Sequence, residues 1–223
     1  MLDRLRADIR AVRERDPAAR NAAEVLLLYS GLHAIMLHRP AYFLYRHRWF
    51  FLARLISQFA RWITGVEIHP GAEIGTGVFI DHGSGIVIGE TAVVGDGCTL
   101  YQGVTLGGTG KDKGKRHPTL EKNVTVGSGA KVLGPFTVGE NSKIAAGAVV
   151  LSAIPPDCTA VGVPARIVRR AGVRVCQDLD QVHIPDPVAQ ELCAMRMRME
   201  KLEKQVSLLT EENARLRAEE TEK

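Results

Sequence analysis

Two short segments in the middle of this chain, between residues 67 and 123, place a histidine beside a charged residue: Asp81-His82 and Arg116-His117. A histidine titrates near neutral pH and is the side chain most often used to move a proton in catalysis. An arginine presents a planar fork of donors that pairs with a carboxylate through two hydrogen bonds. These residue types are suited to proton transfer and to anion binding, so both segments are candidate functional residues.

A six-residue repeat of aliphatic residues surrounds both segments. It comprises Ile68, Ile74, Ile80 and Ile86, then Ile88, Val94, Leu100 and Leu106, and finally Val126, Val132, Val138, Ile144 and Val150. Repeats of this kind stack and bury a continuous core that no single repeat could form. Three hexads would close one triangular coil of about 18 residues, and the number of repeats predicts roughly five coils. A β-sandwich would instead show turn signals at a wider spacing and no fixed hexad.

The repeat is broken at the two candidate segments. A two-residue slip between Ile86 and Ile88 follows Asp81-His82, and a polar, glycine-rich stretch at 107–123 contains Arg116-His117. A loop of this length that leaves a regular solenoid is a candidate functional loop, although a solvated basic excursion is the plainer alternative.

The regions outside the repeat show helical spacing. Phe51, Leu55, Phe59 and Ile63 indicate an amphipathic helix in the N-terminal part. Asp16-Pro17 predicts a helix start, and Arg39-Pro40 predicts the end or a bend of that helix. The sequence therefore predicts a helical cap at 1–65, a solenoid at 66–170, a linker at 171–187 and a coiled coil at 188–223.

The C-terminal region follows a heptad pattern. Its a positions are Leu192, Met199, Val206 and Asn213, and its d positions are Met195, Leu202, Leu209 and Leu216. An asparagine at a with leucine at d favours a parallel dimer. Stacked hexapeptide solenoids commonly form trimers, so the sequence leaves the oligomeric state open.

Composition excludes several classes of function. The chain has 223 residues, a net charge of +4 and 45% hydrophobic residues, and its basic residues are spread along the sequence, which argues against nucleic acid as a partner. Four cysteines without a CxxC pair fit reduced thiols in the cytoplasm, with Cys98 and Cys158 as small apolar core residues. The most apolar stretch, 41–66, contains four arginines and does not predict a membrane span.

Several motifs together resemble those of the serine O-acetyltransferase family of hexapeptide-repeat acyltransferases. They are Asp16-Pro17-Ala18-Ala19-Arg20, Glu67-Ile68-His69-Pro70, Phe79-Ile80-Asp81-His82-Gly83, Gly89-Glu90-Thr91-Ala92, residues 103–111, residues 114–119 and Gly162-Val163-Pro164-Ala165. The resemblance implies an α+β fold with a left-handed parallel β-helix between the helical cap and the coiled coil. It also implies acetyl transfer from acetyl-CoA to the hydroxyl of L-serine, which gives O-acetyl-L-serine and CoA in the first step of cysteine biosynthesis.

The resemblance also implies roles for individual residues. His82 corresponds to the general base, and Glu67 stands where the family has an aspartate, fifteen positions before it. Arg116 would bind the carboxylate of serine, Asp16 and Asp81 its ammonium, and His117 would be a further hydrogen-bonding residue over the substrate.

Acetyl-CoA needs a narrow groove and cations near its phosphates. We expect backbone contacts at Gly107, Gly108, Ser128, Gly129, Ala130 and Ala146, and phosphate contacts from Lys111, Lys131 and Arg166. We expect direct attack within a ternary complex, without an acyl-enzyme and without a metal.

Partners follow from the same resemblance. We expect a homo-oligomer, either a trimer or a dimer of trimers, located in the cytoplasm, with no membrane partner. Members of the family often bind O-acetylserine sulfhydrylase through a C-terminal isoleucine; the printed sequence ends Glu222-Lys223, which argues against that complex.

Three alternatives compete with this interpretation. Another hexapeptide acyltransferase, acting on a sugar or a xenobiotic, would share the solenoid and the base. A γ-type carbonic anhydrase would need a zinc site, for which the solenoid offers His69, His82 and His117. A catalytically inactive scaffold would use the coiled coil to recruit a partner.

Overall fold

In the computed structural model, residues 2–110 and 112–169 are described, together with residues 195, 198–199, 201–203 and 205–206. Four helices come first: α1 (Leu2–Arg15), α2 (Ala22–Leu28), α3 (Ser30–Arg46) and α4 (Phe50–Thr64). Fifteen short strands follow in the described part of the chain: β1 (Glu67–Ile68), β2 (Glu73–Ile74), β3 (Phe79–Asp81), β4 (Val87–Ile88), β5 (Val93–Val94), β6 (Thr99–Tyr101), β7 (Thr105–Gly107), β8 (Thr119–Leu120), β9 (Thr125–Val126), β10 (Lys131–Leu133), β11 (Thr137–Val138), β12 (Lys143–Ile144), β13 (Val149–Val150), β14 (Thr159–Val161) and β15 (Arg166–Arg169).

The strands form the three walls of a parallel β-helix. Sheet A contains β1, β4, β7, β10 and β13; sheet B contains β2, β5, β8 and β11; sheet C contains β3, β6, β9, β12, β14 and β15. The chain runs from A to B to C and back to A, so turns gather at three corners, here called A–B, B–C and C–A. Five strands in sheet A correspond to five coils, which confirms the number expected from the repeat.

The repeat residues fill the interior of the solenoid. Almost all of them are buried, and Ala72 and Ala130, each two positions before a repeat residue, are buried as well. Ile74 is only half-buried because β2 is the first strand of sheet B and no strand lies above it. Leu120 is also fully buried, six positions before Val126, so it belongs to the repeat although it was not recognised from the sequence.

Strand pairing shows how the two interruptions are accommodated. Val87 pairs with Thr105, 18 positions later, which is one uninterrupted coil. Glu67 pairs with Val87, 20 positions later, because the slip after His82 adds two residues at the C–A corner. Val93 pairs with Thr119, 26 positions later, because the loop before β8 leaves the wall at the A–B corner. Both additions lie at corners, where they leave the stacking of the strands intact.

The helical cap is anchored to the first coil. Asp8 of α1 is fully buried; its carboxylate accepts hydrogen bonds from the guanidinium of Arg39 and, over 2.9 Å, from the N–H of Gly77. Arg15 donates to the carbonyl of Cys98 over 3.2 Å. These long-range bonds tie α1, α3 and the solenoid into one unit. Cys98 and Cys158 are buried and unpaired, as expected for small core residues.

The predicted helix start at Asp16-Pro17 is wrong, because α1 ends immediately before it. Asp16 O accepts the N–H of Ala19 over 3.1 Å, which closes a β-turn with Pro17 at its second position. Asp16 Oδ1 also accepts the N–H of Ala18 over 2.8 Å, a local bond typical of aspartate in turns. The N-cap of α2 is Asn21 instead. Asp-Pro favours both kinds of structure, so the sequence alone could not separate them.

Helix α3 continues through Pro40 to Arg46, so Arg39-Pro40 does not end it. Proline removes one helical hydrogen bond, but the residues before it hold the helix in place. His38 bonds to the carbonyl of Ala72, and Arg39 pairs with buried Asp8. Tertiary contacts therefore override the local signal.

Helix α4 packs on the solenoid through its small residues rather than its large ones. Its buried residues are Ala53, Ser57, Ala60 and Thr64. Ser57 Oγ donates to the carbonyl of Ile68 over 2.7 Å. The large apolar residues share the opposite face and are exposed in this single chain: Phe51, Leu55, Phe59, Trp62 and Ile63. The periodicity thus predicted the helix. The face that contacts the solenoid is the one with small side chains, because only small side chains let the helix backbone lie close to the solenoid.

The C-terminal residues belong to a second unit, which starts at Pro185. Met195, Met199, Leu202 and Val206 are helical and exposed. The other heptad positions and the linker at 171–187 lie outside the described residues. Among the described helices, none combines the length and apolar character needed to cross a membrane.

The buried imidazole of His38 predicts an acid-sensitive fold. Its Nε2 lies 3.0 Å from Ala72 O and must donate, while Nδ1 has no partner among the described residues. Burial lowers the pKa of His38 to about 4 from its ordinary 6.5. Below pH 6.5 the unfolded chain therefore binds a proton that the native chain does not. We expect the contribution of His38 to the free energy of unfolding to be constant above this pH and to fall by about 3 kcal/mol by pH 4.

Urea unfolding of the wild type and of His38→Leu at pH 7, 6, 5 and 4 checks this prediction. Leucine fills the site without a titrating group, so the variant should lose about 3 kcal/mol less than the wild type over this range. Equal losses in the two proteins would contradict the role of His38.

Candidate active site

His82 occupies a tight turn at the C–A corner, directly after β3. The N–H of Gly83 donates to Asp81 O and the N–H of Ser84 to His82 O, each over 2.7 Å. His82 has a φ of +57°, in the left-handed region that residues other than glycine seldom occupy. Its side chain is 75% exposed. The two-residue slip in the repeat therefore produces an exposed histidine on a hydrogen-bonded turn, a strained conformation typical of functional residues.

Two carboxylates lie near this histidine, and we call Asp16, Tyr29, Asp81 and His82 the His82 cluster. Asp16 Oδ2 accepts the Tyr29 hydroxyl over 2.6 Å. Asp81 Oδ1 lies 3.9 Å from His82 Nε2. Burial raises the pKa of Asp81; His82 lowers it, and the charge of Asp16 raises it further. Asp81 thus lies near His82 and within electrostatic reach of Asp16, and two carboxylates together are able to bind a cation.

Glu67 is held by arginines of α4. Its Oε2 lies 3.0 Å from Arg61 Nη1, and its Oε1 lies 4.0 Å from Arg54 Nη2. Glu67 starts β1 at the same corner as His82, yet no hydrogen bond joins the two side chains in the described part of the chain. The predicted pairing of Glu67 with His82 therefore has no direct contact to support it.

The second group of polar residues lies at the A–B corner, and we call Tyr45, Glu90, Thr91, Arg116 and His117 the Arg116 cluster. The guanidinium of Arg116 donates to Glu90 Oε2 over 2.5 Å. The Tyr45 hydroxyl donates to Glu90 Oε1 over 2.6 Å. These two bonds lower the pKa of Glu90, which is therefore a carboxylate at neutral pH. Glu90 fixes Arg116 while the guanidinium stays partly exposed.

Thr91 fixes the loop and the proton of His117. Thr91 Oγ accepts the N–H groups of Arg116 and His117 over 3.0 and 3.1 Å. The N–H of Thr91 points at His117 Nδ1 over 3.2 Å, so Nδ1 must be an acceptor. Burial, and then the charge of Arg116, lower the pKa of His117. At neutral pH this ring is therefore neutral, with its proton on Nε2, which makes it a hydrogen-bond donor rather than a base.

Gly89 leaves room for this histidine. A Cβ at Gly89 would lie 2.0 Å from His117 Cδ2 and 2.1 Å from Nε2. We expect Gly89→Ala to displace the His117 ring and to lower kcat/KM for the acceptor substrate on the order of 10²-fold, the cost of a misplacement of about 1 Å. The control is Gly110→Asn in the loop that carries His117, where a Cβ would meet no atom within 4 Å and asparagine tolerates the φ of +75°. Steady-state kinetics check this, and equal effects of the two substitutions would contradict it.

The two clusters lie at opposite edges of sheet A. The His82 cluster follows sheet C, and the Arg116 cluster precedes sheet B. Strand β4 runs between them, and at 3.3 Å per residue Gly85 and Glu90 are roughly 15 Å apart. Among the described residues, no hydrogen bond or ion pair joins the clusters. The described residues of this single chain therefore form two separate polar clusters, here called half-sites, rather than one closed site.

A column of glycines with positive φ continues from the His82 cluster along the C–A corner. Its members are Gly85, Gly103, Gly129 and Gly147. Their N–H groups bond from coil to coil; that of Gly129 donates to Gln102 O, and that of Gly147 to Ser128 O, each over 2.8 Å. A Cβ at Gly129 or Gly147 would meet no atom within 4 Å. This corner exposes backbone along several coils below His82.

The residues predicted to bind acetyl-CoA divide between the two corners. Ser128, Gly129, Ala130 and Ala146 lie at the C–A corner. Gly107 and Gly108 lie at the A–B corner, where a Cβ at Gly108 would be 3.0 Å from Arg116 Cγ.

Two of the three predicted phosphate partners, Lys131 and Arg166, lie within the described residues. The ammonium of Lys131 is already bound to Gly103 O over 2.6 Å and to Thr105 Oγ over 3.0 Å. Arg166 begins β15, and Lys111 lies outside the described residues.

Sequence reasoning missed four residues of these clusters: Tyr29, Tyr45, Glu90 and Thr91. Glu90 and Thr91 were noted only as part of a motif, without a role. The tyrosines reach their partners across 13 and 45 positions of the sequence, and no local pattern predicts such a contact.

No cluster able to hold a metal is found within the described ranges, which cover His69, His82 and His117. The cavity of about 1220 Å³ on the face of sheet B contains neither cluster.

Comparisons with known proteins show which family this chain is similar to. The family model for the N-terminal region of serine acetyltransferase matches residues 1–36, and the bacterial transferase hexapeptide model matches residues 117–152. The serine acetyltransferase of Synechococcus elongatus is 57% identical over 206 residues, which cover 92% of this chain and 84% of that protein.

Solved structures give the same result. Neisseria gonorrhoeae serine acetyltransferase in complex with serine has a TM-score of 0.73 and 43% identity, and covers 75% of this chain and 69% of its own. Brucella abortus serine acetyltransferase in complex with coenzyme A has a TM-score of 0.75 and 46% identity, and covers 78% of this chain and 69% of its own.

These proteins have the left-handed β-helix fold, so the expected handedness is confirmed. Their names specify serine as acceptor, which disfavours the sugar, xenobiotic and carbonic anhydrase alternatives. The high identity over nine-tenths of the chain settles the classification: the chain belongs to the serine acetyltransferase family of hexapeptide-repeat acyltransferases.

Proposed function

We propose that the His82 and Arg116 clusters carry out the reaction of this family, with His82 as general base. The reaction transfers the acetyl group of acetyl-CoA to the hydroxyl of L-serine. The single observation that carries the assignment is the exposed imidazole of His82 on its strained turn, 3.9 Å from the carboxylate of Asp81. A serine hydroxyl is a weak nucleophile at neutral pH and needs a base at this place.

The proposed chemical step is direct attack. The serine oxygen forms a bond to the thioester carbonyl carbon as its proton passes to a ring nitrogen of His82. The tetrahedral intermediate then collapses, the C–S bond breaks, and His82 returns the proton to the CoA thiolate. Cys98 and Cys158 are buried, so neither offers a nucleophile for an acyl-enzyme.

Serine is held at its two charged groups. The carboxylates of Asp16 and Asp81 suit its ammonium; Asp16 is already ordered by hydrogen bonds from the N–H of Ala18 and the hydroxyl of Tyr29. The guanidinium of Arg116, oriented by Glu90, suits its carboxylate, and His117 Nε2–H adds a donor from the same loop. This pair of opposite charges selects a zwitterion over a sugar.

Acetyl-CoA is the co-substrate, and we propose that its pantetheine arm follows the glycine column below His82. Ser128, Gly129, Ala130 and Ala146 lie there, where peptide groups can be approached closely. Gly107 and Gly108 would approach the same arm from the A–B corner of another protomer. Lys111, Lys131 and Arg166 stay predictions as phosphate partners.

We propose that the active enzyme is a homo-oligomer, a trimer, because each protomer carries its two half-sites on opposite edges of sheet A. Placing the C–A corner of one protomer against the A–B corner of the next would close each site with residues of both. Association into a dimer of trimers, and a complex with the sulfhydrylase, stay predictions. The cytoplasm is the proposed location, since the described cysteines are free thiols.

Glu67 is proposed as the carboxylate that orients His82. Its present partners are Arg61 and Arg54, so this role requires Glu67 to contact the imidazole while it keeps an arginine, or to exchange one for the other. Glu67→Gln tests the role of the charge, because glutamine keeps the size of the side chain and loses the negative charge that would orient His82.

Co-expression of two impaired variants tests the shared site, with L-serine kept well below the wild-type KM so that each variant alone has little activity. His82→Asn and Arg116→Ala protomers mixed in equal amounts should then give about a quarter of the wild-type activity, since one site in four combines an intact His82 with an intact Arg116 from its neighbour. The controls are each variant expressed alone. An active site confined to one protomer would give no more than the average of the two variants, and this result would overturn the proposed assembly.

A further inference from the structure

Helix α3 spans the first coil from one half-site to the other. Near its start, Gly31 lies on β3, where a Cβ would be 2.1 Å from Ile80 O. Near its end, the ring of Tyr45 lies over Gly71, in the turn between β1 and β2, where an added Cβ would be 3.0 Å from Tyr45 Cε1. These contacts place the N-terminal end of α3 at the C–A corner and its C-terminal end at the A–B corner.

The middle of α3 is fixed as well. Ala34 and Ile35 belong to the core of the solenoid. The imidazole of His38 is bonded to Ala72 O, and Arg39 to buried Asp8. The helix has 17 residues and is therefore about 25 Å long. It is anchored along its whole length to the first coil, which carries His82 and stacks on the coil that carries Glu90 and Thr91.

A tyrosine stands at each end of this helix and donates to a carboxylate. Tyr29, the residue before α3, donates to Asp16 in the His82 cluster over 2.6 Å. Tyr45, the second-last residue of α3, donates to Glu90 in the Arg116 cluster over 2.6 Å. Glu90 in turn binds the guanidinium of Arg116.

Both rings are held by packing. Tyr29 packs against the buried cluster of Val25 and Leu32. Tyr45 makes edge contacts with Phe50 and His69, with ring centroids 5.1 and 5.6 Å apart. Burial and the bond to Asp16 raise the pKa of Tyr29 to about 12, and the bond to Glu90 raises the pKa of Tyr45. Both hydroxyls therefore remain donors throughout the working pH range.

We propose that Tyr29 and Tyr45 are positioning residues for L-serine: Tyr29 orients Asp16 toward the ammonium, and Tyr45 orients Arg116, through Glu90, toward the carboxylate. The inference rests on the substrate-binding roles proposed above for Asp16 and Arg116. Helix α3 thereby sets the placement of the two groups that recognise the ends of the amino acid.

Tyr29→Phe and Tyr45→Phe test the inference, because each removes one hydroxyl and keeps the ring. Each should raise the KM for L-serine roughly tenfold, the usual effect of losing a hydrogen bond to a charged group. The kcat and the KM for acetyl-CoA should stay within about twofold of the wild type. The matched control is Tyr42→Phe on the same helix, whose ring contacts His38 and neither cluster.

Double variants separate positioning from general loosening of the fold. In an Asp16→Asn background, Tyr29→Phe should have little further effect on the KM for serine, while Tyr45→Phe should keep its full effect. In an Arg116→Ala background the pattern should reverse. The inference would be overturned if the effects on the KM for serine were additive in all four double variants. It would also be overturned if the tyrosine variants raised the KM for serine and the KM for acetyl-CoA equally.

The same experiment distinguishes this inference from the proposed function. If Asp16→Asn and Arg116→Ala leave the KM for serine unchanged, the proposed binding roles are wrong. If those two variants raise it and the tyrosine variants do not, the binding roles stand and the positioning roles are wrong.

Discussion

Replacing His82 with asparagine should lower kcat by about 10²- to 10⁴-fold, the contribution of a general base, while acetyl-CoA binding stays unchanged. Asparagine is the informative substitution because it tolerates the left-handed backbone that His82 adopts at a φ of +57°. The turn at the C–A corner is then preserved, and only the proton acceptor is lost. Steady-state kinetics with a thiol-release assay and calorimetric titration of CoA measure the two quantities.

The control for this prediction is His47→Asn, at the end of α3. His47 bonds to the carbonyl of Phe43 and belongs to neither cluster, so its variant should keep the wild-type kcat. If His82→Asn retained more than about a tenth of the wild-type kcat, His82 would be excluded as the base, because the loss of a general base should lower kcat by more than this.

Arg116→Ala should raise the KM for L-serine on the order of 10²-fold, because a charged, two-point contact to the carboxylate is lost and Glu90 keeps an unpaired charge. Arg116→Lys should recover only part of this loss, since an ammonium restores the charge without the planar fork. The KM for acetyl-CoA should change little in both variants.

Lys113→Ala in the same loop is the matched control. Lys113 is exposed, and its replacement by alanine removes one positive charge from the loop, as Arg116→Ala does. The comparison therefore separates a specific contact of Arg116 from general electrostatic attraction. A similar rise in the KM for serine in Lys113→Ala, or an unchanged value in Arg116→Ala, would move Arg116 away from the carboxylate.

The architecture of the solenoid was predictable because its repeat has one physical cause. Every sixth residue points into a narrow core, so aliphatic residues must recur there, and their number gives the number of coils. Leu120 shows where this reasoning stopped short. It continues the repeat directly after the loop, six positions before Val126, and would have placed Arg116 at the turn between sheets A and B.

The cap was less predictable, since its contacts with the solenoid decide its details. Asp16-Pro17 satisfies the rules for a helix start and for a β-turn equally well, and the bond from Tyr29 to Asp16 belongs to the turn. Helix α4 shows the same limit. Its periodicity is clear, yet its close approach to β1 selects the face with Ala53 and Ser57.

The candidate site shows both limits together. His82, Asp81, Arg116 and His117 stand beside visible interruptions of the repeat, so the sequence singles them out. The tyrosines that hold the site come from the ends of α3, and the division into two half-sites depends on which corner each turn occupies. Such contacts join residues far apart in sequence and follow only from the three-dimensional register.

The loop before β8, at the A–B corner, has a consequence for how a β-helix of this kind could change its acceptor substrate. Val93 pairs with Thr119 although the loop lies between them, and Val87 pairs with Thr105 with only ordinary turns between them. The register of these strand pairs is the same in both cases, so it does not depend on the length of the loop. Lengthening a flexible loop costs only about 0.6 kcal/mol for each doubling. The β-helix wall and the loop proposed to recognise the acceptor are therefore separable, and the same wall can support loops of other lengths and other chemical preferences.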